Sequence, residues 1–120
     1  MPETTLLIKA ALNLRVGAGF DVYGEKMTDN EKRFIKSIFS GDSSGHDYYH
    51  TIRVYKLATK IAKQENADVK TVQLAALLHD VDDIKLSPDT YVTKKNAVDF
   101  MTINKIDGKR IEAVCKIIDE

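Results

Sequence analysis

The chain has 120 residues, enough for one domain around one core. Lys plus Arg and Asp plus Glu both total 18, so no net charge draws the chain to nucleic acid or to an anionic membrane. No apolar run approaches the roughly 20 residues of a membrane-spanning helix. The one cysteine, Cys115, excludes an internal disulfide framework and suits a reducing compartment. The expectation is a cytoplasmic domain with neither a nucleic-acid nor a membrane partner.

Leu6-Leu7-Ile8, Ala10-Ala11-Leu12 and Leu14 give Met1 to Val16 the pattern of a short amphipathic helix. Its Pro2-Glu3 start, with Lys9 and Asn13 inside the apolar run, is unlike a secretory signal. Gly17-Ala18-Gly19 breaks it, and Gly17 to Lys26 reads as a loop or linker. Thr28-Asp29-Asn30-Glu31 has the pattern of a capping box. Phe34, Ile35, Ile38 and Phe39 follow at helical spacing until Gly41. Met27 stands directly before the cap. Residues 1–26 are therefore expected to be an N-terminal extension, non-native or a short helix plus linker, ahead of a domain over 27–120.

Gly41-Asp42-Ser43-Ser44-Gly45 is a turn cluster. The next helix is expected from about His46 to Glu65, with Ile52, Tyr55, Ala58, Ile61 and Ala62 as its apolar stripe. His46 and His50 share a face of it, as do Tyr49 and Arg53. Asn66-Ala67-Asp68 ends it, and Asp68 is placed to cap its successor. That successor carries Val69, Val72 and the unbroken run Leu74 to Leu78, and a helix apolar all round belongs in a core. It runs straight into His79-Asp80-Val81-Asp82-Asp83. Burying a histidine and a carboxylate is costly unless something neutralises them, and a divalent metal does so with ligands of both kinds. On a continuing helix, Asp83 shares the face of His79 and Asp80, while Asp82 points elsewhere. A His-Asp dipeptide by itself is more often the mark of a core histidine bonded to backbone beside a helix-end carboxylate.

Ser87-Pro88 has the form of a helix start, serine at the cap and proline at the first position. A helix to about Ile103 follows, with Tyr91, Val98, Phe100 and Met101 as apolar contributors and Lys94-Lys95 as a solvated face. Asp107 is placed to cap a last helix whose stripe is Ile111, Val114, Cys115 and Ile118, which makes Cys115 a buried, inert thiol. No segment shows sustained strand alternation. The class is all-α, a bundle of about five to six helices with short connections. The acidic end, Asp119-Glu120, opposes the helix macrodipole and lacks a glycine cap, as a cut inside a longer protein would.

The segment Gly45-His46-Asp47-Tyr48-Tyr49-His50-Thr51-Ile52-Arg53-Val54, then a helical stretch, then Leu77-Leu78-His79-Asp80, resembles the HD-domain superfamily of metal-dependent phosphohydrolases. It is similar in particular to a bacterial subgroup with an HDxxHxxRV segment followed by LLHDxxD. The resemblance covers most of the chain after Met27. It implies an HD-domain-like helical bundle in which His50, His79 and Asp80 bind a divalent metal. It also implies phosphohydrolase activity on a nucleotide or another small phosphate ester. Two imidazoles and a carboxylate form a mixed N/O site that admits Mn, Fe, Co, Ni, Zn or, in part, Mg.

The family's last metal-ligand aspartate lies on a helix downstream of the region matching Lys116 to Glu120, so the resemblance implies a C-terminal part that this sequence lacks. A core left under-covered would favour homo-oligomerisation. Asp83 is a candidate proton acceptor or substitute ligand, against capping or a salt bridge. His46, with Asp47, is a candidate for substrate contact, against capping of its own helix. Arg53 is a candidate phosphate contact, against a structural ion pair. Lys85 follows the His-Asp segment and has solvation as its default. Tyr48 and Tyr49 are expected to pack on the core. The alternative function is a non-catalytic helical module that binds a metal, a ligand or a partner chain.

Overall fold

The computed structural model describes residues 27–41, 46–83 and 86–119, with only the backbone of His46 and Asp47. The expected helix over Met1 to Val16, the linker to Lys26, most of the turn cluster after Gly41, and Lys85 lie outside the described residues. Among the described residues there are five helices and no strand: α1 (Asp29–Ile38), α2 (His46–Gln64), α3 (Val69–Leu78), α4 (Lys95–Ile103) and α5 (Gly108–Asp119). None is long and apolar enough to cross a membrane.

The bundle is built around α3. Its residues Thr71 to Leu78 are all buried, as its all-round apolar sequence requires, and it packs against α2 and α5. From α2 come Val54, Tyr55, Ala58 and Ala62, and from α5 come Val114 and Ile117. Ile35 and Phe39 of α1, with Ala97, Phe100 and Met101 of α4, extend the same core. Phe34 of α1 stacks on Phe100 of α4, ring centroids 4.3 Å apart, which ties two elements distant in sequence.

Helix ends follow local chemistry in most places. At α1 the capping box is complete: the Glu31 N–H donates to Thr28 Oγ1 at 3.1 Å and the Thr28 N–H donates to Glu31 Oε1 at 2.8 Å. At α5 the Arg110 N–H donates to Asp107 Oδ1 at 3.0 Å, as expected of a capping aspartate. α2 and α4 both end in Schellman motifs without glycine. Asn66 (φ 56°) and Lys105 (φ 60°) take the left-handed position. The N–H of Ala67 reaches back to Ala62 O at 2.9 Å and that of Ile106 to Met101 O at 3.0 Å.

Several expectations are corrected. Ser87-Pro88 does not start a helix; Leu86 to Lys94 run in turns, and α4 begins at Lys95. The Ser87 and Thr90 hydroxyls bond each other at 2.6 Å, and such local side-chain bonds compete with a helical ladder. Tyr91 is consequently half exposed rather than part of the core. Tyr48 packs on the core as expected, but Tyr49 is exposed. Asp68 stands at the N-cap of α3 without capping it through its side chain. Its buried Oδ2 accepts instead from Thr71 Oγ1 at 2.7 Å and from Arg110 Nη2 at 3.3 Å. Lys94 is not solvated but largely covered and paired with Asp119, while Lys95 is exposed and bonded to Asp99 at 2.6 Å. Cys115 is partly buried, and burial raises its thiol pKa, in keeping with an inert role.

Candidate metal centre

α3 ends at Leu78, and His79 occupies its C-cap position. Beyond it the chain runs in turns through Asp82. This placement sends the His79 and Asp80 side chains to the end of the buried helix, where α2 passes with His50. The imidazole rings of His50 and His79 lie 5.8 Å apart between centroids. Asp80 Oδ2 stands 3.0 Å from His79 Nε2 and 4.0 Å from His50 Nε2. His50, His79 and Asp80 are the one group of three donors among the described residues whose ligand atoms all lie within 4.8 Å of one another.

The histidine tautomer is set by the helix. His79 Nδ1 lies 2.6 Å from the carbonyl oxygen of Ala76. A carbonyl only accepts, so Nδ1 carries the proton and Nε2 points toward Asp80. An outer hydrogen bond of this kind is what orients a metal-ligating imidazole. The His79 side chain is largely buried, whereas that of Asp80 is 42% exposed and opens the cluster to solvent.

Burial is the largest single influence on Asp80 and raises its carboxyl pKa. The neighbouring imidazoles of His79 and His50 together outweigh that cost, leaving the carboxyl below its ordinary value of 3.8. Asp80 is thus an anion over the whole neutral range. Two donors each about 2.1 Å from one ion stand about 3–4 Å apart, and Asp80 Oδ2 already stands at 3.0 and 4.0 Å from the two histidine nitrogens. The donor set and its spacing fit a divalent ion of the first transition row, with solvent on the Asp80 side.

Asp83 stands outside this cluster. The face it was expected to share exists only on a continuing helix, and here the helix stops one residue before His79. Its backbone carbonyl anchors the following turn, accepting from Ser87 N at 2.7 Å and Leu86 N at 3.0 Å. Arg53 is exposed on α2, and the His46 side chain lies outside what the structure describes.

Two residues that sequence reasoning passed over adjoin the centre. Asp82 is buried, and its carboxylate accepts from the Asn96 N–H through Oδ1 and the Ala97 N–H through Oδ2, both at 3.0 Å. Asn96 Nδ2 in turn donates to Val81 O at 3.0 Å. The only sequence signal for this is negative: no capping side chain stands at Lys94, so the first turn of α4 needs a partner from elsewhere.

An all-α bundle presenting two imidazoles and a carboxylate from adjacent helices defines a class of helical metal-site domains. Within that class, the HD-domain family model matches residues 47–120, and the chain belongs to the HD-domain family. Membership places it with the metal-dependent phosphohydrolase superfamily, whose members generally bind divalent metals. The uncharacterized protein YpgQ of Bacillus subtilis (strain 168) is 45% identical over 65 residues, covering 54% of this chain and 31% of YpgQ. The chain therefore spans about a third of the length of that relative. No solved structure matches the chain.

Proposed function

We propose that the chain carries the metal centre of a phosphohydrolase acting on a nucleotide or another small phosphate ester. The observation that carries this reading is the meeting of His50, His79 and Asp80 within 4.8 Å, on a chain of the HD-domain family. His50 Nε2, His79 Nε2 and Asp80 Oδ2 would hold the ion. Held there, a divalent ion would supply a water of lowered pKa and polarisation of a phosphoryl oxygen. The protein's own part is orientation. The Ala76 carbonyl fixes the His79 ring, and the buried end of α3 keeps one side of the centre dry. The exposed edge of Asp80 leaves the other side open to a substrate. Arg53 is proposed as a phosphate contact from α2, and His46, at the start of the same helix, as a substrate contact; Asp83, beyond the turn, is proposed as a proton acceptor. The location proposed is the cytoplasm.

The test is phosphate release from a panel of nucleoside triphosphates, nucleoside monophosphates and p-nitrophenyl phosphate with Mn, Co, Ni, Zn or Mg supplied in turn. Metal-dependent release that disappears in His79→Ala and Asp80→Ala is the expected result. Metal binding without release from any of these compounds would support the alternative, a helical metal-binding module without turnover.

A further inference from the structure

The turn that supplies two of the three donors is bonded both within itself and to another helix. Past Leu78 its backbone bonds include a long one, Val81 N to Leu78 O at 3.4 Å, and Asp83 N to Asp80 O at 3.2 Å. The residues directly after Asp80 are fixed from another helix. Val81 presents its carbonyl to Asn96 Nδ2, and Asp82 sets both carboxylate oxygens on the N–H groups of Asn96 and Ala97. Those N–H groups belong to the first turn of α4, where the helix dipole favours an anion. Lys94, at the N-cap with φ 54°, provides no side-chain cap of its own. The Asn96 amide also stands 3.4 Å from the Ser87 and Thr90 hydroxyls, which brings the intervening turns into the same clamp.

We propose that Asp82 and Asn96 are positioning residues: they lock the His79-Asp80 turn onto α4 and so set the affinity of the centre for its ion. The inference rests on the reading of His50, His79 and Asp80 as metal ligands. Neither Asp82 nor Asn96 belongs to the ligand cluster. They act through the backbone of Val81 and Asp82, which fixes where the Asp80 carboxylate stands relative to His79 and His50. Supporting groups of this kind typically change metal affinity by about 10–100-fold when removed. A cap serving the fold alone would lower stability and leave affinity where it was.

The experiment compares the 120-residue chain with Asp82→Asn, Asn96→Ala and Val114→Ala, each followed by thermal melting and by calorimetric titration with Mn2+. Visible spectra of the Co2+ forms report the coordination geometry. Asp82→Asn removes a charge near the ion as well as a cap; Asn96→Ala leaves the charge unchanged and so isolates positioning. Val114→Ala opens a cavity in the buried face of α5 and removes no group of the clamp. The expected result is an Mn2+ Kd raised about tenfold in both clamp variants, with altered Co2+ bands, while Val114→Ala melts lower but keeps its Kd within about twofold. Unchanged Kd values and spectra in folded Asp82→Asn and Asn96→Ala would overturn the proposal. So would an equal loss of affinity in Val114→Ala, or clamp variants that fail to fold while Val114→Ala folds; both would assign the clamp to the fold alone. A wild-type chain that binds no Mn2+ would instead overturn the metal-site reading, and the clamp's role with it.

Discussion

The N-termini of α1 and α4 solve one problem in two ways. Both leave backbone N–H groups that no helical carbonyl can reach. At α1 the solution is local, with Thr28 and Glu31 three residues apart bonding each other's backbone. At α4 it is remote: Asp82, 14 and 15 residues upstream of its partners, provides both oxygens. The local cap stabilises one helix end and nothing more. The remote cap also fastens a turn to a distant element, and that turn holds His79 and Asp80. The chain thus uses a non-local cap at the helix start that holds the turn of His79 and Asp80.

The largest effect should come from the remote cap. Asp82→Ala leaves two N–H groups at a largely covered helix start without their charged acceptor, and should cost about 3 kcal/mol in chemical denaturation. Thr28→Ala, at the exposed box, should cost about 1 kcal/mol by the same measurement. Equal losses at the two sites would erase the distinction between them. Lys105 sharpens the comparison at the opposite end of α4. It holds a left-handed conformation that costs a side chain roughly 1 kcal/mol. Lys105→Gly should therefore stabilise the protein by up to about 1 kcal/mol, seen as a raised denaturation midpoint, without altering metal affinity.

The smallest expected effect is on the acid limb of stability. The Asp80 carboxyl is held below its ordinary value of 3.8 in the folded chain. The stability this lends is present above that value and is lost as the pH falls through the lower, folded one. Metal-free Asp80→Ala should therefore show a shallower fall in melting temperature across the acid range than the wild-type chain. An identical acid limb in the two would mean that the histidines do not hold Asp80 as an anion.

What could be read from the sequence follows the same division between local and remote. The α1 box, the Asp107 cap and the burial of α3 depend on residues within a few positions of one another, and each is found where the spacing puts it. The pairing of His50 with His79-Asp80 is remote, and periodicity alone would not have given it; the resemblance of the two segments to the HD-domain superfamily did. The face Asp83 was expected to share with His79 rested on helical spacing carried past Leu78, where the helix ends. Ser87-Pro88 misled because the serine hydroxyl bonds Thr90 instead of capping a helix. Asp68 had the right position but turned its side chain to Thr71 and Arg110, a partner 42 residues away. Asp82 and Asn96 carry no local pattern at all, since a carboxylate capping another helix resembles any other aspartate in sequence.

The central claim is that His50, His79 and Asp80 form a working metal centre, and elemental analysis of the purified 120-residue chain beside His79→Ala tests it most directly. After loading with Mn2+ and gel filtration, the wild-type chain should retain close to one ion per chain, and His79→Ala only a trace. Equal metal contents in the two proteins, whether both loaded or both empty, would contradict the account.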